Sequence, residues 1–213
     1  MAAGYKTLRR FAGEEFVINK SRFIGYARPV SSEEEALAFL KEIRTKHKDA
    51  THNCYAYIIG RNAGIMRYSD DGEPGGTAGM PIIDVMKAQG VVDCCVVVTR
   101  YFGGILLGAG GLVRAYTQGC VAALKAAQVV VMEPSCQYLC EVAYPLWDRV
   151  QHTLKALPVQ LVSSEFTTAV TFSLLMRERD VESVLAQLEQ VTDARIETML
   201  EDTSWQAWDT EDT

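Results

Sequence analysis

The sequence predicts an α+β protein made of two domains. Strand and helix patterns are mixed throughout, and after Glu133-Pro134 they settle into the order strand, helix, strand, strand, helix, strand. The charge divides at the same place: residues 1–133 hold 16 Lys+Arg and 13 Asp+Glu (net +3), and residues 134–213 hold 5 and 14 (net −9). We therefore predict one domain over 1–133, a second over 134–200 and an acidic tail over 201–213, mobile unless Trp205 and Trp208 dock.

The composition is that of a globular protein, with 48% hydrophobic residues among 213. No apolar run reaches membrane-spanning length, and the N-terminus MAAGYKTLRR lacks the apolar core of a secretory signal, so we expect a cytoplasmic protein. Six cysteines without a Cys-x-x-Cys pair agree with reduced core residues. The net charge of −6 argues against a protein that coats nucleic acid through bulk charge.

The first domain opens with a predicted β-hairpin over 15–30, whose strands meet at Asn19-Lys20-Ser21. Ser32 followed by Glu35 is a capping-box signature, which predicts a helix ending near Lys46. Further elements are a strand over 52–59, a turn over 61–64, a strand over 65–68 and a helix with Pro81 in its first turn that ends at Gln89. On the first of these strands, His52 and Cys54 are better explained as hydrogen-bonded core residues than as zinc ligands.

The segment VVVTRYFGGILLGAGGLVRAY, residues 96–116, organises this domain. It predicts a buried strand ending in Arg100, two glycine-containing turns, and a helix that opens near Gly110 and continues to about Ala127. A passage from strand through glycines to helix can present free backbone N–H groups to an anion. Glycine turns also serve ordinary close packing, so the pattern alone leaves both interpretations open.

An acidic loop, SDDGEPGGTAGMP over 69–81, precedes that segment. Its carboxylates Asp70, Asp71 and Glu73 are of the type that can hold Mg²⁺ or act in acid–base chemistry. The same residues suit a hydrated turn. The sequence contains no Gly-x-Ser-x-Gly elbow, no His-Glu-x-x-His motif and no Walker A lysine, so an enzyme is the second interpretation.

The second domain has the element order of a ferredoxin-like βαββαβ fold. Its predicted elements are a strand over 137–143, a helix over 145–157, strands over 159–166 and 168–176, a helix over 181–191 and a strand over 194–200.

Three motifs, SRFIGYA (21–27), the acidic loop and the 96–116 segment, resemble those of the YigZ/IMPACT family in the same order. The resemblance implies a first domain like domain 2 of ribosomal protein S-five, with a left-handed βαβ crossover against the usual rule, and a second like domain V of elongation factor G. It also implies a link to translation. Eukaryotic members restrain the kinase that senses amino-acid starvation, but this sequence begins directly at the shared domain without their RWD domain.

We favour a binding surface where the glycine turns meet, with the acidic loop on one side and Arg100 on the other. Arg100 would bind phosphate or carboxylate, glycine N–H groups would add an anion nest, and aromatic side chains would stack on an RNA base. The predicted site residues are Asp70, Asp71, Glu73, Thr77, Arg100, Tyr101, Phe102, Gly103, Gly104, Gly110 and Gly111. In the alternative, Arg100 is an internal partner of Asp70, Asp71 or Glu73, and both motifs only hold the loop in place.

The sequence thus predicts a non-enzymatic binding or regulatory factor associated with translation, whose partner is a ribosome, an RNA or a translation-associated protein. No cofactor is expected. One alternative is a small enzyme or nucleotide-binding protein that acts on a phosphorylated ligand, with Mg²⁺ held by Asp70, Asp71 or Glu73. The other is a protein–protein regulatory module. The oligomeric state does not follow from the sequence.

Overall fold

A computed structural model describes residues 4–210. The chain forms two compact units. The first unit holds Tyr5–Val131 together with the segment that begins at Trp208, and the second holds Met132–Ala207. The described part of the chain contains no helix that is both long and apolar enough to cross a membrane.

The first unit is a five-stranded antiparallel sheet with helices on both faces. The sheet consists of β2 (Ala12–Ile18), β3 (Ser21–Pro29), β4 (His52–Ile59), β5 (Ile65–Ser69) and β6 (Cys94–Tyr101), and the strand β1 (Tyr5–Leu8) lies outside it. The helices are α1 (Glu33–Lys46), α2 (Gly79–Gln89) and α3 (Gly108–Ala127). The sheet order is β2-β3-β6-β4-β5, so β6 is central and pairs with β3 and β4. β3 and β4 are both antiparallel to β6 and therefore run parallel to each other.

Alternation along β6 places successive side chains against different helices. Val96 and Val98 enter the core formed with α2 and α3, whereas Cys95 and Val97 enter the core formed with α1. Because both faces are covered, β6 is apolar almost throughout, as the sequence predicted.

Local chemistry accounts for the hairpin and for α1, and both predictions are confirmed. Asn19 and Lys20 have φ values of 45° and 64°, as a two-residue hairpin turn requires, and Ile18 pairs with Ser21 across it. Ser32 caps α1 by accepting a hydrogen bond from the Glu35 N–H at 3.2 Å. The Glu35 carboxylate binds Ser31, one residue before the partner that a capping box prescribes.

The second unit has the predicted ferredoxin-like order. Its elements are most of β7 (Val129–Val142), α4 (Tyr144–Leu154), β8 (Val159–Phe166), β9 (Val170–Arg177), α5 (Val181–Val191) and most of β10 (Glu197–Asp209). Val129–Val131 of β7 and the last two residues of β10 belong to the first unit. The antiparallel strands β7, β9 and β8 are neighbours in that order, and β10 pairs with β7. The fold is therefore α+β with two parts, as predicted.

Two features differ from expectation. The proposed boundary at Glu133-Pro134 lies inside β7, which is one continuous strand from residue 129 to 142. The acidic segment from Glu201 is strand up to Asp209, not a mobile tail. The segment is ordered because the Trp208 indole docks, with 6% of the residue exposed. The Asp209 carboxylate also accepts a hydrogen bond from Arg9 at 2.7 Å. Residues 211–213 of the predicted tail lie outside the described part of the chain.

All six cysteines are buried free thiols. Four lie in the first unit and two in the second, and they are Cys54, Cys94, Cys95, Cys120, Cys136 and Cys140. Burial raises the pKa of each thiol above its usual value, so all six are protonated near neutral pH. This is the inert, structural class of cysteine.

Candidate functional site

The three sequence motifs converge on one buried polar cluster made of Ser21, Glu73, Arg100 and Tyr116. Arg100 Nη1 donates to Glu73 Oε1 at 2.7 Å, and the Tyr116 hydroxyl donates to the same oxygen at 2.7 Å. Arg100 Nη2 donates to Ser21 Oγ at 3.3 Å, and that oxygen also accepts the Gly103 N–H at 3.2 Å. The cluster thereby connects β3, the acidic loop, β6 and α3.

The register of the sheet explains why Arg100 points into this cluster. Arg100 follows Val96 and Val98 on the α2/α3 face of β6, and it pairs with Phe23 of β3 and His52 of β4. Its guanidinium lies 5.4 Å from the centroid of the Phe23 ring. Arg100 is 5% exposed and Glu73 is 8% exposed, so the ion pair is almost completely removed from water.

The internal pairing considered as the alternative role of Arg100 is thus present, with Glu73 as the partner. Within residues 4–210, Arg100 Nε is buried without a hydrogen-bond partner. His52 Nε2 lies 3.8 Å from the other Glu73 oxygen. Burial raises the pKa of Tyr116 well above its usual value, so its hydroxyl remains a hydrogen-bond donor at neutral pH.

Asp70 holds the start of α2. Its carboxylate accepts the N–H groups of Gly76 at 2.9 Å, Ala78 at 3.0 Å and Gly79 at 2.8 Å. Burial opposes ionisation, but these three donors outweigh it and hold the pKa of Asp70 below its usual range. Asp70 therefore satisfies donors at the N-terminus of α2 that the helix leaves unpaired.

Asp71 ties the acidic loop to β4 and α1. Its carboxylate accepts the Asn53 N–H at 2.7 Å and an Arg44 Nη2–H at 2.8 Å. Two backbone carbonyls of the loop form hydrogen bonds with side chains of β4. His52 Nδ1 lies 2.9 Å from Asp71 O, and Cys54 Sγ donates to Asp70 O at 3.0 Å. His52 and Cys54 are hydrogen-bonded residues at the rim and in the core of β4, as the sequence indicated.

Thr77 is also engaged within the loop, where its hydroxyl donates to Pro74 O at 2.6 Å. Across residues 4–210, no group of three or more His, Cys, Asp and Glu side chains is placed to hold a metal ion. The carboxylates considered for Mg²⁺ thus bind protein donors.

Tyr101 lies on the opposite face of the sheet from Arg100. The His47 side chain at the end of α1 contacts two tyrosine hydroxyls, Tyr101 through Nδ1 and Tyr26 through Nε2, each at 2.8 Å. Burial, followed by the nearby charges of Lys46 and Arg22, lowers the pKa of His47, so the ring is neutral at physiological pH. The Tyr101 hydroxyl also donates to Asp49 at 3.4 Å.

The four predicted glycines have different roles. A Cβ at Gly103 would lie 2.0 Å from the carbonyl carbon of Lys20, so Gly103 lets β6 reach the hairpin turn. Gly104 has a φ of +83°, in the left-handed region that favours glycine. Gly110 and Gly111 lie in the first turn of α3, which begins at Gly108, two residues earlier than predicted.

The segment Phe102–Leu107, here called the β6–α3 loop, is the exposed part of the predicted site. Phe102 is 45% exposed, Ile105 42% and Leu106 86%. Leu107 stands at the N-cap of α3, and its side chain carries no acceptor. The first N–H groups of α3 therefore point outward unpaired by the helix itself, beside an apolar loop.

Ser21, Tyr116 and His47 were not among the predicted site residues. Ser21 was visible only as the first residue of one motif, and Tyr116 only as the last residue of the 96–116 segment. A hydroxyl in a stripe predicted to be fully buried needs a polar partner, and that requirement is the signal that could have identified Tyr116. His47 caps α1 and gives no comparable signal.

Comparisons with known proteins follow the same division of the chain. Residues 19–124 match the Impact N-terminal domain, and residues 140–195 match a domain of unknown function, DUF1949. A solved structure described as a hypothetical protein has a TM-score of 0.59 at 29% identity, covering 95% of this chain and 99% of that one.

Among relatives, the IMPACT family member YvyE of Bacillus subtilis is 37% identical over 202 residues, which is 92% of this chain and 90% of the relative. The IMPACT family member YigZ of Escherichia coli is 34% identical over 173 residues, 80% of this chain and 85% of that protein. Protein IMPACT-A of Xenopus tropicalis is 38% identical over 101 residues, 45% of this chain and 31% of that protein. The chain belongs to the IMPACT family.

Proposed function

We propose that this protein is a non-enzymatic binding or regulatory factor associated with translation, which recognises phosphate or carboxylate groups on a ribosome, an RNA or a translation-associated protein through its first unit. The observation that carries the proposal is the β6–α3 loop, where apolar side chains and unpaired helix N–H groups are exposed together. The buried cluster beneath this loop ties its start to β3, because Ser21 Oγ accepts the Gly103 N–H. A binding loop on a rigid support is a common arrangement for recognition.

The anion chemistry is supported at the first turn of α3. A helix of 20 residues places partial positive charge on its first N–H groups, here those of Ala109, Gly110 and Gly111. Arg114 is exposed, and its Nη1 lies 3.7 Å from the point where a Gly110 side chain would begin. A guanidinium and free N–H groups together suit phosphate or carboxylate.

An enzymatic role has less support. Arg100, Glu73 and Tyr116 face each other in a buried cluster, and the thiol of Cys54 is fully buried with a raised pKa. A reacting group must come within hydrogen-bond reach of a substrate. The side chains with perturbed pKa in this region are therefore better explained as structural ties.

The association with translation and the cytoplasmic location rest on family membership. Relatives named Protein IMPACT match this chain over about a hundred residues. The YigZ/IMPACT resemblance carries the expectation of a translation-linked role, and the exposed loop offers a surface through which such a role can be exercised.

Co-sedimentation with purified ribosomes and with tRNA, at low and moderate salt, tests the proposal. We expect salt-sensitive binding by the natural protein and reduced binding by the double variant Phe102→Ser/Leu106→Ser. Leu37→Ser is the matched control, because Leu37 is an exposed apolar residue on α1, outside this loop. If neither ribosomes nor tRNA retain the protein at low salt, the translation-linked proposal is overturned. Binding that ignores salt but needs the loop would instead favour a protein–protein module.

A further inference from the structure

We infer that single-stranded RNA binds to a basic–aromatic patch of the first unit, formed by Lys20, Arg22, Lys46, Tyr101 and Phe102. The inference rests on the proposed function, and it names both the partner and a surface. That surface extends from the β6–α3 loop across the hairpin turn to the end of α1.

The hairpin side of the patch is set by backbone contact. The Lys20 backbone lies against Gly103, so the Lys20 side chain leaves the chain beside the β6–α3 loop. Arg22 pairs with Tyr101 across β3 and β6, and its guanidinium lies 4.3 Å from the centroid of the Tyr101 ring. A cation and an aromatic ring are therefore already stacked at the end of β6, one residue before Phe102.

The α1 side of the patch joins through His47. This ring lies between the Tyr101 and Tyr26 hydroxyls, and Lys46 Nζ lies 4.9 Å from the centroid of the Tyr26 ring. His47 thus links two aromatic rings that each lie beside one cation, Tyr101 beside Arg22 and Tyr26 beside Lys46. The neutral ring holds both tyrosines in position without adding a charge of its own.

The three cations of the patch outnumber the two carboxylates that contact it, Glu15 and Asp49. Glu15 lies 3.9 Å from Arg22, but both side chains are nearly half exposed, and such surface pairs are weak. Asp49 is held by the Tyr101 hydroxyl at 3.4 Å. Lys20, Arg22 and Lys46 are all exposed, which leaves them able to contact phosphates.

The combination favours single-stranded RNA over a folded duplex. Proteins that bind single strands combine cations along the backbone with aromatic faces on which bases stack. Phe102 directly follows Tyr101 at the end of β6 and is 45% exposed, and the Arg100 guanidinium lies 5.4 Å from its ring centroid. A base stacked on Phe102 would thus lie over an aromatic ring supported from the cluster below.

The test is fluorescence anisotropy with a labelled twelve-nucleotide oligouridine, measured over a range of salt concentrations. Lys20→Gln/Arg22→Gln/Lys46→Gln should lower the slope of log affinity against log salt by roughly 2, since each phosphate contact contributes about 0.7 for single strands. Phe102→Leu should weaken binding by roughly five- to 150-fold, the range for loss of one base–aromatic stack. The matched control is Lys41→Gln/Lys87→Gln/Lys125→Gln, which removes three exposed positive charges elsewhere.

Equal effects of the two triple variants would overturn the patch. Ribosome co-sedimentation with the same preparations distinguishes failure of the single-stranded RNA inference from failure of the proposed function. If the natural protein pellets with ribosomes but does not bind oligouridine, the single-stranded RNA inference fails and the proposed function stands. If it binds neither, both fail. Tighter binding to a duplex of equal length than to oligouridine would contradict the stacking role of Phe102.

Discussion

Replacing Arg100 by Met is the sharpest test of the buried cluster. The change removes the Nη1 bond to Glu73 and the Nη2 bond to Ser21, and it leaves a carboxylate that is 8% exposed with the Tyr116 hydroxyl as its hydrogen-bond donor. Breaking a buried ion pair by removing one partner costs about 3–5 kcal/mol. We therefore expect Arg100→Met to destabilise the first unit by about that amount.

The double variant Arg100→Met/Glu73→Gln isolates the cause. Glutamine keeps an oxygen for Tyr116 but carries no charge, so the double variant should be more stable than Arg100→Met by about 1–3 kcal/mol, the cost of an unsatisfied buried group. If the loss instead came from packing around Phe23, the second substitution would restore nothing.

Hydrogen exchange measured by mass spectrometry on peptides from β6 and α3 is the suitable assay, because the two units need not unfold together. Arg114→Met is the control, since Arg114 is an exposed arginine of the same unit. Surface substitutions of this kind stay within about 0.5 kcal/mol of the natural protein. If Arg100→Met also stays within that limit, the buried Arg100–Glu73 pair does not stabilise the first unit as expected.

Three further outcomes are expected. Gly103→Ala should lower the melting temperature, because the new Cβ would lie 2.0 Å from the Lys20 backbone. Overpacking of this kind costs about 1–3 kcal/mol. The control Gly75→Ala should be nearly neutral, since no atom lies within 4 Å of its new Cβ. Asp70→Asn should destabilise the protein at pH 7, because a carboxylate whose pKa is lowered in the folded state stabilises that state while it is ionised. The difference in melting temperature from the natural protein should shrink as the pH falls below about 4. A constant difference down to pH 2 would contradict this. Trp208→Ala should cost about 3–5 kcal/mol, as for other large buried side chains, and Trp208→Phe clearly less, as measured by urea denaturation followed by circular dichroism.

Elements whose signals are local could be predicted from the sequence. The Asn19-Lys20 turn, the Ser32 cap and the bounds of β8 and α5 depend on neighbouring residues, and the structure has them where they were expected. β7 was predicted too short because proline usually ends or borders a strand, yet this strand continues through Pro134. Acidic composition likewise suggested a tail where burial of Trp208 orders a strand.

The site residues stay a prediction, and the internal arrangement of the buried cluster was not predicted. The acidic loop and the end of β6 were expected to lie side by side, and Glu73 pairs with Arg100 there. The partner of Arg100 remained open among three carboxylates because the choice depends on the path of the acidic loop, in which Asp71 has a φ of 46°. Tyr116 and Glu73 are 43 residues apart, and their hydrogen bond depends on how α3 packs on the sheet, a long-range contact with no signal in a single sequence.

The alkylation rates of the buried thiols report how often each unit opens. A protonated thiol at a fully buried position reacts with an alkylating reagent only after the surrounding structure opens. Opening of the first unit is therefore followed by labelling of Cys54, Cys94, Cys95 and Cys120, and opening of the second by labelling of Cys136 and Cys140. Mass spectrometry of alkylated peptides can follow both in one sample of unmodified protein, and any ligand that binds only the closed form of one unit slows the labelling of that unit.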